Sequence, residues 1–133
     1  MALLAKYNAK DCVIQVDGVY ITGVGENMVT WAKQEALFEE SVGAQGDVVA
    51  SDINNDIHTF TVGIQQTSPQ RNFLLSLKNR KDPFPVWCTN KALGIRFGGE
   101  LALVKEVPEI TQNARAEDME IALLVFDGDT ITD

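Results

Sequence analysis

Apolar positions along this chain fall mostly two apart. The stretch that shows this best runs from Asp56 to Asn79. There His58, Phe60, Val62 and Ile64 alternate with Ile57, Thr59, Thr61, Gly63 and Gln65. Successive side chains of a strand point to opposite faces, so the pattern predicts a strand with one mostly apolar face. The period then changes. Ser68-Pro69 stops the strand and opens a helix, with Ser68 as its predicted cap and Pro69 in its first turn. Phe73, Leu74 and Leu77 form a stripe that has to be buried against a sheet. Asn79 and Asp82-Pro83 end the helix.

The rest reads as strands. Cys12–Val16 and Val19–Thr22 flank Asp17-Gly18, the favoured pair for a two-residue hairpin turn because both positions need positive φ. Gly23–Asn27 reads as a loop and Met28–Lys33 as a third strand. Gln34–Asn55 is an excursion: a strand continuation, the turn-rich Ser41–Asp47, a short returning strand at Val48–Ala50, and the turn cluster Ser51–Asp56. About 20 residues without a firm element in a small domain read as a functional loop or hairpin arm. Arg80–Pro85 is a rigid linker, and Val86–Thr89 is a short strand entered by Pro85 at its edge. Gly94–Lys105 reads as strands broken by Gly98-Gly99, Val107–Ala116 as a polar loop, and Met119–Val125 as a final strand. The other face of that last strand, Ala122, Leu124 and Phe126, is apolar too, which predicts a central or interface-covered position. Met1–Lys10 is an irregular arm and Thr130–Asp133 a tail. The sum is mainly β: an antiparallel sandwich or barrel of about seven to nine strands with one packed helix.

At 133 residues the chain suits a single domain, residues 1–133, with its own core. No apolar run approaches the ~20 residues of a membrane span. The start, MALLAKYNAKDC, has no long apolar segment, so the expectation is a cytosolic product without a signal peptide. Cys12 and Cys88, 76 positions apart, sit in strand-like runs and read as buried free thiols rather than a disulfide. A net charge of −8 disfavours phosphate tracking, which needs clustered Lys and Arg. The charge is uneven. Between Asp56 and Asp82 there is no acid, but Arg71, Lys78, Arg80 and Lys81 are present; from Glu106 onward eight acids face Arg115 alone. One basic end and several acidic stretches suit head-to-tail contacts between copies, against the plainer reading of a monomer with a mixed surface.

Candidate chemistry is sparse. Gly23/Gly25 and Gly98/Gly99 lack a strand-to-helix setting and a following lysine pattern, so they read as turn glycines, not a phosphate cradle. Asp52–Asp56 starts like a calcium loop, but Ile57 and Gly63 stand where Gly and Glu are needed; a turn with side-chain-to-backbone hydrogen bonds fits better. The single His58 lies in a strand, has no nucleophile beside it, and adds too few ligands for a metal. Glu39-Glu40 and Glu117-Asp118 are adjacent rather than facing carboxylates. Trp31, Phe60, Phe73, Trp87, Phe97 and Phe126 are dispersed and read as core. No enzyme, cofactor or metal site is predicted.

Three segments carry a resemblance. They are VIQVDGVYITG (Val13–Gly23), VGAQGDVVASDINND (Val42–Asp56) and the strand running into IQQTSP (Ile64–Pro69). In this order, followed by the helix and further strands, they make the chain resemble the small tail tube proteins of bacteriophages with contractile tails. The likeness covers most of the chain and is least distinct in the C-terminal third. It implies a virion protein, assembled in the host cytoplasm, that forms hexameric rings stacked into a hollow tube. Inner strands of all subunits would make one β-barrel around a largely acidic lumen. Sheath, baseplate and tail terminator proteins would be partners, and DNA would pass through without specific binding. Joining sheet edges between subunits removes the exposed-edge liability of an open sandwich, and an acidic wall repels a phosphate backbone.

On that reading Phe38–Asn55 is the arm to the next ring, with Phe38, Val42, Gln45, Asp47, Val49, Asp52 and Asn54 as contacts and Met1–Lys10 as a second contact. Thr59, Thr61 and Gln65 line the lumen. Arg71, Lys78, Arg80 and Lys81 meet acidic neighbours or the sheath. Two other readings stand beside it: the tube of a bacteriocin or type VI-like secretion apparatus, and a monomeric β-sandwich binding module with Gln34–Asn55 as its ligand loop. A small β-enzyme is more distant, for want of a catalytic constellation.

Overall fold

The Asp17-Gly18 turn forms as its residue types dictate. In the computed structural model, which describes residues 6–132, Asp17 has φ 50° and Gly18 φ 78°. The turn joins β1 (Cys12–Val16) to β2 (Val19–Tyr20). Next come β3 (Val24–Lys33), β4 (Phe38–Val42), β5 (Val48–Asp52) and β6 (His58–Ile64), then the helix α1 (Arg71–Ser76) and a 3-10 turn at Leu77–Asn79. β7 (Phe84–Asn90), β8 (Ile95–Val104), β9 (Met119–Val125) and β10 (Asp129–Thr132) complete the order.

Among the described residues, eight strands form one antiparallel sheet in the order β2-β1-β7-β8-β9-β6-β3, with β10 added on β8, and β4 and β5 pair only with each other. β8 serves two neighbours on one side. Its first half, Ile95–Gly98, pairs with β10, and its last residues, Ala102–Val104, pair with β9. The inward faces share one core, with Ile14, Val16, Val86 and Cys88 from one part of the sheet and Phe60, Val62, Ile121, Leu123 and Val125 from the other. α1 and its 3-10 extension deliver Leu74 and Leu77 into that core, both essentially fully buried, while Phe73 is half-buried against it. Among the described residues, no helix is long and apolar enough to cross a membrane.

Among the described residues the architecture is the expected mainly β one with a single packed helix, but with ten strands. The expected loop at Gly23–Asn27 is mostly strand: β3 starts at Val24 and tolerates a register shift before Val29. The expected tail at Thr130–Asp133 is largely β10. The Gly98-Gly99 pair does not break β8. Gly98 takes φ 146°, and a Cβ there would collide with the Val86 carbonyl of β7. Glycine is thus needed for close approach inside the strand, not for a turn. Gly25 and Gly99 likewise lie within strands, buried.

Pro85 is inside β7, not at its entry, and sits where the β7–β8 register shifts between Phe84 and Val86. A residue without an N–H fits such an irregularity. The helix starts later than expected. Its cap position is Gln70, with no side-chain cap bond. Ser68 is buried and its hydroxyl donates to the Thr22 carbonyl at 2.6 Å. Two aromatics expected in the core are outside it: Phe126 is 41% exposed, and Trp87 lies on the outward-facing positions of β7. Of the expected N-terminal arm, residues 1–5 lie outside the described residues. Lys6–Asn8 is irregular and exposed, and Ala9–Asp11 forms a 3-10 turn capped by Asn8.

Candidate functional site

The feature that core formation does not explain is the β4–β5 hairpin. Its register pairs Phe38 with Asp52, Glu40 with Ala50 and Val42 with Val48, and between these Glu39 with Ser51 and Ser41 with Val49. Paired residues share a face. One face therefore carries Phe38, Val42, Val48 and Ala50; the other carries Val49. The hairpin's base extends with the Ile53 amide donating to the Leu37 carbonyl at 2.9 Å. All ten strand residues are exposed. Phe38, Val42, Val48 and Val49 show between 52% and 66% of their surface, and Leu37 shows 71%.

Seven expected contact residues are distributed over this arm. Phe38, Val42 and Asp52 share one face and Val49 occupies the other. Gln45 and Asp47 are at the tip, where the Gly43 amide donates to the Asp47 carbonyl at 2.8 Å. Asn54 lies exposed at the base. Leu37 and Val48 belong with them and were not singled out in the sequence. The adjacent Glu39-Glu40 interrupts the alternation that would have revealed them. From Phe38 to Asp52 the hairpin carries Glu39, Glu40, Asp47 and Asp52 and no Lys or Arg.

A second surface is the outward face of β3, β6, β9 and the end of β8. Register places Thr30 beside Thr61 and Ala122, and Ala32 beside Thr59, Leu124 and Leu103. These two rows hold no charged residue. Thr59 and Thr61 are half-buried there, on the side opposite buried Phe60 and Val62. Gln65 lies just past the strand, exposed, with its amide donating to the Gly23 carbonyl at 2.7 Å. Alternation identified Thr59 and Thr61; their small apolar neighbours come from distant strands and carry no local signal.

The four basic residues do not form one patch. Arg80 is paired within the subunit, its Nη1 donating to Asp17 Oδ2 at 2.7 Å with its guanidinium 5.5 Å from the Phe84 ring centre. Lys78 and Lys81 are exposed. Arg71 lies instead in a cleft of about 570 Å³ between α1 and the loop before β9. Gln66 donates there to the Thr111 carbonyl at 2.6 Å and accepts from Gln112 at 3.0 Å.

His58 is a packing residue: its ring stacks on Trp31 with centroids 4.4 Å apart, and Nδ1 lies 2.8 Å from the Asp56 carbonyl. The turn before it uses the Asn55 side chain, which accepts from the Ile57 amide at 3.0 Å. Among the described residues, no group of three or more His, Cys, Asp or Glu is placed to hold a metal.

The sequence matches the family model described as Bacteriophage PhiTE tail tube protein over residues 13–108. The chain belongs to this tail tube family. The match takes in β1 through β8, including the hairpin and α1. No match was found among curated proteins.

Solved structures share the tail tube fold at low identity. The sheath/tube terminator of the extracellular contractile injection system PVC, in its extended state, aligns with a TM-score of 0.70 at 12% identity, over 98% of this chain and 100% of that one. The tube-terminating cap of the anti-feeding prophage aligns with a TM-score of 0.67 at 8% identity, over 100% of this chain and 95% of that one. A chain of the PVC sheath–tube complex aligns with a TM-score of 0.62 at 12% identity, over 98% of this chain and 95% of that one.

Proposed function

We propose that this chain is the building block of a contractile tail's tube, with copies closing side by side into hexameric rings and the rings stacking into a conduit for DNA. The observation that carries the reading is the β4–β5 hairpin, exposed along its whole length, with Phe38, Val42, Val48 and Ala50 on one face and Val49 among Glu39, Ser41 and Ser51 on the other. An isolated two-stranded ribbon is marginal in water. It becomes stable when the surface of a neighbour covers its apolar face. Fully burying each of Phe38, Val42, Val48 and Val49 would contribute about 1.5–3 kcal/mol. Repeated around a ring, that is enough to offset the ordering of the arm and join successive rings.

The uncharged Thr/Ala/Leu face of β3, β6, β9 and β8 is the candidate lumen wall. Its two central rows offer no basic or aromatic group to hold nucleic acid, with Lys105 and Glu106 flanking them, and the chain's charge of −8 repels phosphate. Arg71, Lys78 and Lys81 are candidates for contact with the acidic arm of a neighbour or with a sheath; Arg80 is already engaged by Asp17. The experiment is electron microscopy of the concentrated protein beside a variant lacking Val42–Asp52. The reading expects tubes from the first and a folded, non-stacking species from the second.

A second reading is a terminating ring rather than the repeating unit. Two of the structural neighbours cap or terminate tubes and align with the higher TM-scores, 0.70 and 0.67. The same images separate the two: lengthening tubes support the repeating unit, and single rings that never stack support the terminator.

A further inference from the structure

We propose that Cys12 and Cys88 form a redox site, two thiols under reducing conditions and a disulfide joining β1 to β7 once a low-molecular-weight disulfide oxidises them. Their Sγ atoms lie 3.1 Å apart. They stand on adjacent strands and on the same face, because Ile14 pairs with Cys88 and Cys12 with Asn90. A disulfide bond is about 2.05 Å long, so closure needs roughly 1 Å of approach.

The backbone at Cys12 can supply it. Cys12 is the first residue of β1, and among the described residues β2 pairs with Gln15 and Val16 and no strand pairs with the outer edge of β1 at Cys12. The segment before it, Ala9–Asp11, is exposed.

Access is one-sided. A cleft of about 220 Å³, lined by Lys10, Ile21 and Met28 among others, reaches Cys12. Cys88 is buried, and that burial raises its thiol pKa well above the usual value. Cys12 is therefore the thiol that meets the oxidant and Cys88 the one that resolves it. The Cys12 thiolate attacks one sulfur of oxidised glutathione and expels a glutathione thiolate. Cys88 then attacks Cys12 Sγ and expels the second glutathione thiolate, which leaves with the Cys88 proton. Two protein thiols are oxidised, and one glutathione disulfide is reduced to two glutathione molecules. The bond would fix the point where the N-terminal segment leaves the sheet, and a 76-residue separation places it among cross-links that constrain the unfolded chain strongly.

The test treats the reduced full-length protein with oxidised glutathione, then measures intact mass, titrates thiols in denaturant and follows thermal unfolding. The expected product has lost two hydrogens, has no titratable thiol, and unfolds about 10 °C higher than the reduced form. Cys88→Ser should instead hold a stable glutathione adduct on Cys12, and Cys12→Ser should stay unmodified while folded. A persistent adduct on the wild-type protein, or two thiols that remain reduced, would overturn the proposal.

Discussion

The Ser68 hydroxyl donates to the Thr22 carbonyl across 2.6 Å, and the Gln70 side chain returns to the same residue, accepting from the Thr22 amide at 2.9 Å and its hydroxyl at 2.8 Å. Two residues before α1 therefore clamp the connection between β2 and β3. The helix is short and lacks a side-chain cap, so its position depends on this clamp and on the burial of Leu74 and Leu77. Ser68→Ala should remove a buried hydrogen bond and lower stability by about 1–2 kcal/mol. Urea denaturation of the unassembled protein reads this directly as a lower midpoint with an unchanged slope.

Leu74 tests the other half of helix docking. It is fully buried, and its replacement by Ala should cost about 2–5 kcal/mol because a cavity replaces packed methyl groups. The conservative Leu74→Met should cost less than about 1.5 kcal/mol. Equal losses from the two would mean that the site is not tightly packed.

Gly98 takes φ 146° against the Val86 carbonyl. Gly98→Ala should destabilise by about 2–4 kcal/mol, since strain and collision act together. Gly18→Ala at the exposed hairpin turn, where a Cβ meets no neighbour, should cost only the conformational strain, about 1 kcal/mol. Thermal unfolding of the two variants should rank them in that order.

The Arg80–Asp17 pair is partly exposed on both sides, at 41% and 30%. Arg80→Ala should shift subunit stability by less than about 1 kcal/mol. A much larger loss would show that the stacking of Arg80 over Phe84, rather than the ion pair, holds the linker in place.

Much of this fold was legible because local signals and tertiary structure agree. The β6 alternation from His58 to Ile64 became a strand with its apolar face in the core, and Asp17-Gly18 became a turn. The departures came where distant chain segments decide. Gly98-Gly99 reads as a break until β7 is known to press on Gly98. Ser68 reads as a helix cap until the Thr22 carbonyl is found beside it. Thr130–Thr132 is polar enough to read as a tail, and becomes β10 because the first half of β8 has a vacant edge beyond β9's reach. For the candidate surfaces, the surplus length of Gln34–Asn55 marked the arm. The gathering of Phe38, Val42, Val48 and Ala50 on one face emerged only with the β4–β5 register. The basic residues between Asp56 and Asp82 read as one patch in sequence, but Arg71 lines the cleft beside α1 and Arg80 is committed to Asp17.

The hairpin carries the central claim, and its exposed positions allow assembly to be separated from folding. Val42→Asp combined with Val48→Lys should leave subunit stability within about 0.5 kcal/mol, because both side chains are exposed and the paired positions carry opposite charges. The measurement is negative-stain electron microscopy of the concentrated wild-type protein and of this double variant, after matched thermal unfolding confirms that both are folded. Long tubes from the wild type and isolated rings or monomers from the variant are the predicted result. A wild-type protein that stays monomeric at high concentration, or a variant that builds tubes of ordinary length, would contradict it.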